Sequence, residues 1–270
     1  MKYSNPHTHT VFCDGKNTAM ELAVAAEKLG FVSLGISGHS PQEIAGGFGI
    51  KDEAAYRASI AEAAKACTTT RIHTAVEQDF YGWCEREKYD YILGSVHYFV
   101  RDELCYAVDG SREHLQEGID RLFGGDAIAA ACAYFRTVAE MAQKLRPEIA
   151  AHYDLITKTN ADGTLLDETD PRYLSAALEG LEAVYDAGCL LEVNTGAIAR
   201  GYQTRPYPTL TLLRRWHELG GRVIFGSDCH DAAKLLCAFE DACKLMKAAG
   251  FKTAVRLGGF GEDLFVEEAI

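Results

Sequence analysis

The chain has 270 residues, 48% of them hydrophobic, and a formal net charge of −12. This length predicts a single domain spanning residues 1–270, because α/β barrels reach this size undivided. The acidic balance argues against a partner such as long nucleic acid or an anionic membrane, which proteins bind with a basic face. It does not exclude a small anionic substrate, because carboxylates that hold metal ions count as negative although the loaded pocket can be locally positive.

The nine cysteines are scattered and form no CxxC pair. Such cysteines indicate small buried side chains in a reducing compartment. Cys13 and Cys229 lie inside the motifs described below and could be soft metal ligands, but packing is the favoured role. We see no signal peptide, and no apolar stretch approaches the roughly 18 residues of a membrane span. We therefore expect a cytoplasmic protein.

His7 and His9 open the first recognisable motif. Two imidazoles two residues apart lie on the same face of an extended strand. Asp14 follows five residues later, just before Gly15, which lets the chain turn sharply. Imidazole and carboxylate together suit zinc, iron or manganese. The alternative is that both histidines are ordinary strand residues facing a polar cavity, and the later motifs decide between the two.

Short apolar strands alternate with helical patterns along the rest of the chain. The predicted helices cover about 18–29, 52–66, 111–122, 127–145, 171–186, 208–219 and 232–248. The predicted strands cover about 32–37, 71–76, 91–96, 148–151, 189–194, 222–227 and 255–257. Thr18 with Glu21 has the pattern of a capping box, Pro208 is expected to open a helix, and residues 41–49 are predicted as an irregular, flexible rim. About seven such alternations are typical of parallel βα units that close into a barrel.

The strands share one feature, which is a polar side chain immediately after each of them. These side chains are His39, Glu77, His97, His152, Glu192 with Asn194, and Asp228 with His230. Active sites of α/β barrels lie at the carboxyl ends of the strands. Packing alone explains the pattern poorly, because buried unpaired charges cost several kcal/mol each unless metals or partners satisfy them. The sequence therefore predicts that these groups converge on one rim.

The motifs resemble those of one family, the polymerase-and-histidinol-phosphatase (PHP) hydrolases, in the family's order and over nearly the whole chain. The matching pieces are His7-Thr-His9 with Cys13-Asp14-Gly15, Gly38-His39-Ser40, Val76-Glu77, Gly94-Ser95-Val96-His97, Ala151-His152-Tyr153-Asp154, Glu192-Val193-Asn194 and Gly226-Ser227-Asp228-Cys229-His230. The resemblance implies an α/β fold, a distorted (β/α)7 barrel of TIM-like type, with its active site at the carboxyl ends of the strands. It also implies up to three divalent metal ions, zinc, manganese or iron.

The resemblance also implies roles for individual residues. One metal would be held by His7, His9, Glu77 and Asp228; a second by Glu77, as a bridge, with His97 and His152; and a third by Asp14, His39 and His230. Glu77, Asp228 and His230 would be the catalytic residues. Asp154 and Asn194 are expected to orient ligand imidazoles, as polar groups behind metal ligands commonly do.

Within the family, the single domain with Phe12-Cys13-Asp14-Gly15 most resembles the histidinol-phosphate phosphatase branch. This implies a metal-dependent phosphomonoesterase that converts L-histidinol phosphate and water to L-histidinol and inorganic phosphate, a step of histidine biosynthesis. A metal-bridging hydroxide would attack phosphorus, since closely spaced cations can bind a phosphoryl oxygen, activate water and stabilise a leaving alkoxide. We find no residue that must act as general acid, and the third metal with its water could serve.

Basic residues on two loops resemble the phosphate-binding positions of that branch. Lys158 lies six residues beyond His152, and Arg200 lies six beyond Asn194. Arg205 competes with Arg200, and each cation could also be a solvated loop residue. The amine end of the substrate would need acidic or aromatic neighbours, for which the candidates are Asp79, Phe80, Tyr98 and Phe99, although aromatic packing explains them equally well. We expect structural or surface roles for His73, His114 and His217.

Three other functions stay open. The chain could act on another small phosphorylated metabolite or a nucleotide, it could be a catalytically silent metal-binding domain, or it could hydrolyse carbon–nitrogen bonds. The apparently complete ligand set argues against a silent domain. No lysine follows a strand in the place where carbon–nitrogen hydrolases of related barrels carry a carbamylated one. A homo-oligomer is compatible with the sequence.

Overall fold

The computed structural model describes residues 1–44 and 47–270, so Ala45 and Gly46, within the predicted irregular rim, lie outside the described residues. The fold is mixed α/β. The helices are α1 (Ala19–Lys28), α2 (Glu53–Ala66), α3 (Arg112–Phe123), α4 (Ala127–Leu145), α5 (Pro171–Asp186), α6 (Gly196–Ala199), α7 (Leu210–Glu218) and α8 (Phe239–Ala249). The strands are β1 (Ser4–Asn5), β2 (Ser33–Ile36), β3 (Arg71–Asp79), β4 (Tyr91–Ser95), β5 (Tyr98–Arg101), β6 (Leu104–Ala107), β7 (Ile149–Ala150), β8 (Leu190–Asn194), β9 (Val223–Gly226), β10 (Thr253–Leu257) and β11 (Phe265–Ala269).

Nine of these strands form one sheet in the order β1-β2-β3-β4-β7-β8-β9-β10-β11. Neighbours from β1 to β10 pair in parallel, and only the β10–β11 pair is antiparallel. Beyond β1, an isolated parallel bridge joins Thr8 to Cys229. Its backbone bonds run from His9 N to Cys229 O at 2.8 Å and from Cys229 N to His7 O at 3.1 Å. The segment after β1 therefore lies against the segment after β9.

The parallel strands place alternate residues on two different faces. One face forms an apolar cluster built from six neighbouring strands, Ala75, Tyr91, Leu93, Ile149, Ala151, Leu190, Ile224, Val255 and Leu257. The residues between them, such as Val76, Ile92 and Leu191, pack under the helices. Because side chains repeat every two residues along a strand, Glu77 shares the face of Ala75 and Glu192 shares the face of Leu190. Both carboxylates therefore lie on the face of this apolar cluster, at the carboxyl end of their strands.

Most predicted elements are confirmed, some to the residue. Helices α4 and α5 have the predicted bounds, and the capping box of Thr18 and Glu21 is present at α1. Pro208 does not open α7, since Thr209 caps a helix that begins at Leu210. The hairpin of β5 and β6 and the final strand β11 were not predicted. Among the described residues, no helix has the length and apolar character that crossing a membrane requires.

The predicted helix over 232–248 is wrong in its first half. A short 3-10 turn covers Ala232–Lys234, and α8 begins only at Phe239, after Ala238 adopts a left-handed backbone with φ of 52°. Side chains from other parts of the chain donate hydrogen bonds to backbone carbonyls of this segment. Asn5 Nδ2 donates to Leu235 O at 3.2 Å, and Thr195 Oγ1 donates to Cys237 O at 2.8 Å. These tertiary hydrogen bonds take carbonyls that a continuous helix would have used internally.

Candidate metal centre

The predicted metal-ligating side chains meet at the carboxyl end of the parallel strands. They come from the segment after β1, from β3, and from the residues that follow β2, β4, β7 and β9. The nine side chains are those of His7, His9, Asp14, His39, Glu77, His97, His152, Asp228 and His230. Most of these side chains are buried, whereas His39 and His230 are partly exposed and Asp14 is exposed. The structure therefore brings all nine residues together.

Glu77 lies at the centre of the cluster, and its two carboxylate oxygens face different histidines. Oε1 lies 2.8 Å from Nε2 of His152 and 3.3 Å from Nε2 of His97. Oε2 lies 3.3 Å from Nε2 of His7 and 2.9 Å from Nδ1 of His39. One carboxylate thus contacts imidazoles on both sides, which is the geometry that a bridging ligand needs.

Asp228 and Asp14 connect the remaining histidines to the cluster. Oδ1 of Asp228 lies 3.2 Å from Nε2 of His9 and 3.5 Å from Nδ1 of His230. Oδ2 of Asp14 lies 3.1 Å from Nε2 of His230, while its Oδ1 lies 3.6 Å from both His9 and His39. Asp14 therefore belongs to the outer, more exposed part of the same cluster.

The donor atoms suit divalent metal ions. Four groups of these side chains each present their donor atoms within 4.8 Å of one another: His9-Asp14-His39-His230, His7-Glu77-His152, His7-His9-Asp228 and His39-Glu77-His97. Nε2 of His7, Nε2 of His9 and Oε2 of Glu77 are buried and make no hydrogen bond, although both nitrogens lie within ion-pair distance of that oxygen. Buried polar atoms left without a partner are costly, and bound metal ions would satisfy them. Imidazole and carboxylate donors fit zinc, manganese or iron.

Neighbouring charges shift the pKa values of the cluster in opposite directions. Burial alone would raise the pKa of Glu77, but the imidazoles of His39, His7 and His97 lower it well below its usual range. Burial, together with His230 and His39, lowers the pKa of His9 to about 3. Glu77 is therefore ionised and His9 is neutral near physiological pH, which is the protonation state that metal binding requires of both groups.

Two further carboxylates fix the orientation of the histidines. Oε1 of Glu192 lies 2.7 Å from Nδ1 of His7, and its Oε2 accepts hydrogen bonds from the backbone N of His152 and from Nδ2 of Asn194, both at 2.9 Å. Oδ2 of Asp79 accepts from the backbone N of His97 at 2.8 Å and lies 3.1 Å from its Nδ1. Carboxylates behind a metal-ligating imidazole fix its tautomer and ring orientation.

The backbone is strained at two of the predicted ligands. His152 has φ of 24° and Asp228 has φ of 47°, in the left-handed region that side chains with a Cβ avoid. Such strain persists only where the surrounding structure imposes it, and it is concentrated at functional sites. Gly196 permits the close approach beside Asp228, because an added Cβ would lie 2.7 Å from Oδ2 of that carboxylate.

A cavity of about 490 Å³ opens beside the cluster. Its lining includes six of the predicted metal ligands. It also includes two of the three predicted phosphate-binding cations, Lys158 and Arg200. Nη2 of Arg200 lies 2.7 Å from Oδ2 of Asp228, and its Nη1 lies 3.0 Å from Nδ1 of His230. Arg205 is not among the lining residues, and its guanidinium pairs with Glu168 at 2.7 Å.

Several other predicted positions have different surroundings. Within the described part of the chain, Asp154 makes no hydrogen bond to an imidazole: its Oδ2 accepts from Thr209 N at 3.1 Å, and burial raises its pKa to about 7. Asn194 donates to Glu192, which in turn contacts His7. Asp79, a candidate for the substrate amine, is 3% exposed and is engaged by His97.

The remaining candidates lie around this centre or away from it. Phe99 is buried against Phe123, the hydroxyl of Tyr98 accepts from Gln42, and the Phe80 ring lies under Nζ of Lys144. The other three histidines belong to none of the four donor groups. His73 contacts Gly258 O, His114 accepts from Ala107 N, and His217 packs against the Phe251 ring. Sγ of Cys13 lies 3.6 Å from Nδ1 of His9, whereas Cys229 donates to Asp231 O.

One residue of this site, Asp109, and one contact, between Glu192 and His7, were not predicted from the sequence. Asp109 lines the cavity after the unpredicted β5–β6 hairpin and pairs with Lys158. Glu192 is among the polar residues predicted to converge, but its bond to His7 is not part of that prediction. The strand alternation that places Glu77 on the face of Ala75 also places Glu192 on the face of Leu190, so the period-2 pattern could have indicated a contact of Glu192 with the cluster. No comparable signal marked Asp109.

Comparisons with known proteins agree with this geometry. A family model described as the PHP domain matches residues 5–196. A Deinococcus radiodurans protein named "Probable histidinol-phosphatase" is 28% identical over 261 residues, which are 92% of this chain and 94% of that protein.

Two solved structures share the fold. The hisK protein of Listeria monocytogenes aligns with a TM-score of 0.77 at 20% identity, over 87% of this chain and 98% of that one. The histidinol phosphate phosphatase of Lactococcus lactis, solved in complex with zinc, L-histidinol and phosphate, aligns with a TM-score of 0.71 at 20% identity, over 94% of this chain and 96% of that one.

Proposed function

This chain belongs to the PHP domain family and is a phosphoric monoester hydrolase, and from this premise we propose that it is a metal-dependent histidinol-phosphate phosphatase. The reaction would convert L-histidinol phosphate and water to L-histidinol and inorganic phosphate. The observation that carries the proposal is the convergence of nine histidine, aspartate and glutamate side chains into one cluster with Glu77 at its centre, beside a cavity that also presents Lys158 and Arg200.

We propose three metal positions. The first is held by His7, His9, Glu77 and Asp228; the second by Glu77, His97 and His152; and the third by Asp14, His39 and His230. Two of the four donor groups support the first and third sets, since His7-His9-Asp228 belongs to the first and His9-Asp14-His39-His230 contains the third. The other two groups, His7-Glu77-His152 and His39-Glu77-His97, each join Glu77 to residues of two different sets, as a bridging carboxylate would. When bound, the ions would polarise the phosphoryl group, lower the pKa of a water and stabilise the leaving alkoxide.

The side chains of the protein hold the substrate and the cluster in place. Glu77 is proposed as the bridge, because its Oε1 and Oε2 face different histidines. Asp228 and His230 are proposed as catalytic residues, because both line the cavity at the partly exposed edge of the cluster. Arg200 bonds to both of them and offers its remaining N–H groups to a phosphoryl oxygen.

We also propose that the sheet closes into a distorted (β/α)7 barrel within one domain. The apolar cluster of inward residues from six strands supports closure, because such a layer fills the interior of a barrel. The bridge between Thr8 and Cys229 supports it as well, since it joins the segments after the first and ninth strands. A barrel explains why residues as distant as His7 and Asp228 share one centre.

The relatives support histidinol phosphate as the substrate to test first. The Deinococcus radiodurans protein is named "Probable histidinol-phosphatase", and the structure of the Lactococcus lactis protein was solved with L-histidinol and phosphate. The alternative is another small phosphorylated metabolite or a nucleotide, handled by the same metal centre.

A substrate panel tests the assignment. The protein is loaded with manganese or zinc, and phosphate release is measured from L-histidinol phosphate, from nucleoside monophosphates and from a generic aryl phosphate. We expect kcat/KM for L-histidinol phosphate to exceed that of the other monoesters. Equal values for the aryl phosphate would reject the substrate and keep the chemistry, whereas no phosphate release from any of them would reject the function.

A further inference from the structure

The cavity beside the metal cluster contains a ready-made site for an ammonium group, and in this structure the ammonium group of Lys158 fills it. Nζ of Lys158 donates to the backbone O of Asp109 at 2.6 Å and to its Oδ2 at 3.2 Å. The same nitrogen lies 4.9 Å from the centre of the Tyr202 ring. A carboxylate, a carbonyl and an aromatic face are the three groups that recognise a primary ammonium in proteins.

Asp109 differs from the other carboxylates that line the cavity. Asp14 contacts His230, Asp228 is paired with Arg200, and Asp231 is paired with Lys16 at 3.1 Å. The only salt bridge of Asp109 among the described residues is the one to Lys158. A third of its side chain is exposed, whereas Lys158 is 9% exposed and fully engaged. Asp231 also has one cation partner, but that pair is largely exposed to solvent, whereas the counter-ion of Asp109 lies in a partly buried site beside the Tyr202 ring.

Lys158 has a competing partner when a phosphate monoester enters. A dianionic phosphoryl group attracts an ammonium more strongly than one carboxylate does, because it carries more charge and more acceptor oxygens. If Lys158 turns towards the phosphoryl group, Asp109 and Tyr202 lose their ammonium in a partly buried cavity. An unpaired carboxylate there is unfavourable, and a cationic group on the substrate would restore the pairing.

We propose that Asp109 determines substrate specificity by binding the ammonium group of a zwitterionic phosphate monoester in the place that Lys158 vacates. This rests on the proposed phosphatase function and deepens it, since it defines the preferred substrate class as phosphorylated amino alcohols. Tyr202 contributes the aromatic face of the same site. Asp79 cannot take this role, because it is buried and engaged by His97.

The alternative is that the pair of Lys158 and Asp109 only ties the loop after the β5–β6 hairpin to the segment that follows β7. Removing the carboxylate would then affect all substrates alike. The ammonium site instead predicts a change that depends on the amine of the substrate.

The test measures kcat/KM for L-histidinol phosphate and for its des-amino analogue, in the metal-loaded wild type and in Asp109→Asn. We expect the ratio between the two substrates to fall about tenfold or more in the variant, the effect of losing one hydrogen bond between charged groups. The value for the des-amino analogue should change little. An unchanged ratio, or an equal loss for both substrates, would overturn the proposal.

Two further variants keep the test decisive. Asp231→Asn removes another cavity carboxylate, and the ratio should stay at the wild-type value. Tyr202→Leu replaces a side chain that is 45% exposed, so it leaves the fold intact, and it should lower the ratio by about threefold through the lost cation–π contact. If Asp109→Asn fails to fold, an unchanged ratio in Tyr202→Leu overturns the proposal.

Binding measurements separate this proposal from the proposed function. If the wild type hydrolyses neither monoester, the phosphatase function fails, and calorimetric titration with L-histidinol and its des-amino analogue, in the presence of inorganic phosphate, still tests the ammonium site. Tighter binding of the amine by the wild type but not by Asp109→Asn would support the site. Equal affinities for the two alcohols in the wild type would reject it.

Discussion

Nδ1 of His7 lies 2.7 Å from Oε1 of Glu192, and both side chains are fully buried. This bond leaves Nε2 of His7 free to face Glu77 and Asp228. A carboxylate behind a ligand imidazole fixes its tautomer, and removing that carboxylate typically lowers metal affinity or activity by about 10- to 100-fold. Glu192 therefore supports the metal centre without being one of its proposed ligands.

Glu192→Gln should lower metal affinity by about tenfold or more, because an amide oxygen is a weaker acceptor for His7 than a carboxylate. The amide nitrogen would also face His152 N and Asn194 Nδ2, which are themselves donors. Equilibrium dialysis against zinc or manganese measures the change. Glu182→Gln, at an exposed carboxylate on α5, is the matched control and should bind metal like the wild type. Wild-type affinity in Glu192→Gln would show that this bond does not support the centre.

Metal uptake should release protons. In the metal-free protein, burial alone would lower the pKa of His97, but the carboxylates of Glu77 and Asp79 raise it to about 10. His97 therefore carries a proton at neutral pH, and a metal can be bound only by the neutral imidazole, so affinity should increase as pH rises. Calorimetric titration with metal, in two buffers of different ionisation enthalpy near neutral pH, reports this release. Identical enthalpies in the two buffers would contradict it.

Arg200 and Arg205 should differ in their contribution to substrate binding. Arg200→Lys replaces a planar fork by a point charge inside the cavity, and KM for the monoester should increase by about tenfold. Arg205→Lys is the matched variant, and KM should change little because Arg205 is paired with Glu168. Steady-state kinetics at saturating metal measure both. A larger effect in Arg205→Lys would assign the phosphate contact to that residue instead.

Gly226 lies where a side chain cannot be accommodated. A Cβ at this position would fall 1.8 Å from Oε1 of Glu192. Gly226→Ala should therefore displace Glu192 from His7 and lower the free energy of unfolding by about 1–3 kcal/mol, the usual cost of overpacking a buried site. Urea denaturation and metal content measure the two effects. Unchanged stability with full metal content would show that Glu192 is free to move.

The sequence was sufficient to predict which polar side chains come together at the carboxyl ends of the strands, for a physical reason. Strands alternate with period 2 and parallel strands end at the same edge, so residues that follow apolar strands must come together. Glu77, His97, His152 and Asp228 are grouped in the structure as this reasoning requires. The same rule places no constraint on residues farther along the loops.

The contacts that escaped prediction depend on tertiary structure. Asp109 and Lys158 are 49 positions apart and lie on loops, where no periodicity relates them. The orientation of Asp79 towards His97 also depends on the final position of β4, so a carboxylate interpreted as a substrate contact proved to be engaged by an imidazole. The break before α8 follows from hydrogen bonds made by Asn5 and Thr195, which local propensity does not register.

The most direct test of the metal centre is the number of metal ions that each chain retains. Metal content is measured by elemental analysis after loading and exhaustive dialysis, for the wild type, for Glu77→Gln and for the control Glu182→Gln. We predict two or three ions per chain in the wild type and the control, and a loss of at least one ion with abolished phosphate release in Glu77→Gln, because a neutral amide bridges two cations poorly. Full metal content and full activity in Glu77→Gln, or a wild type that retains no metal, would contradict the account.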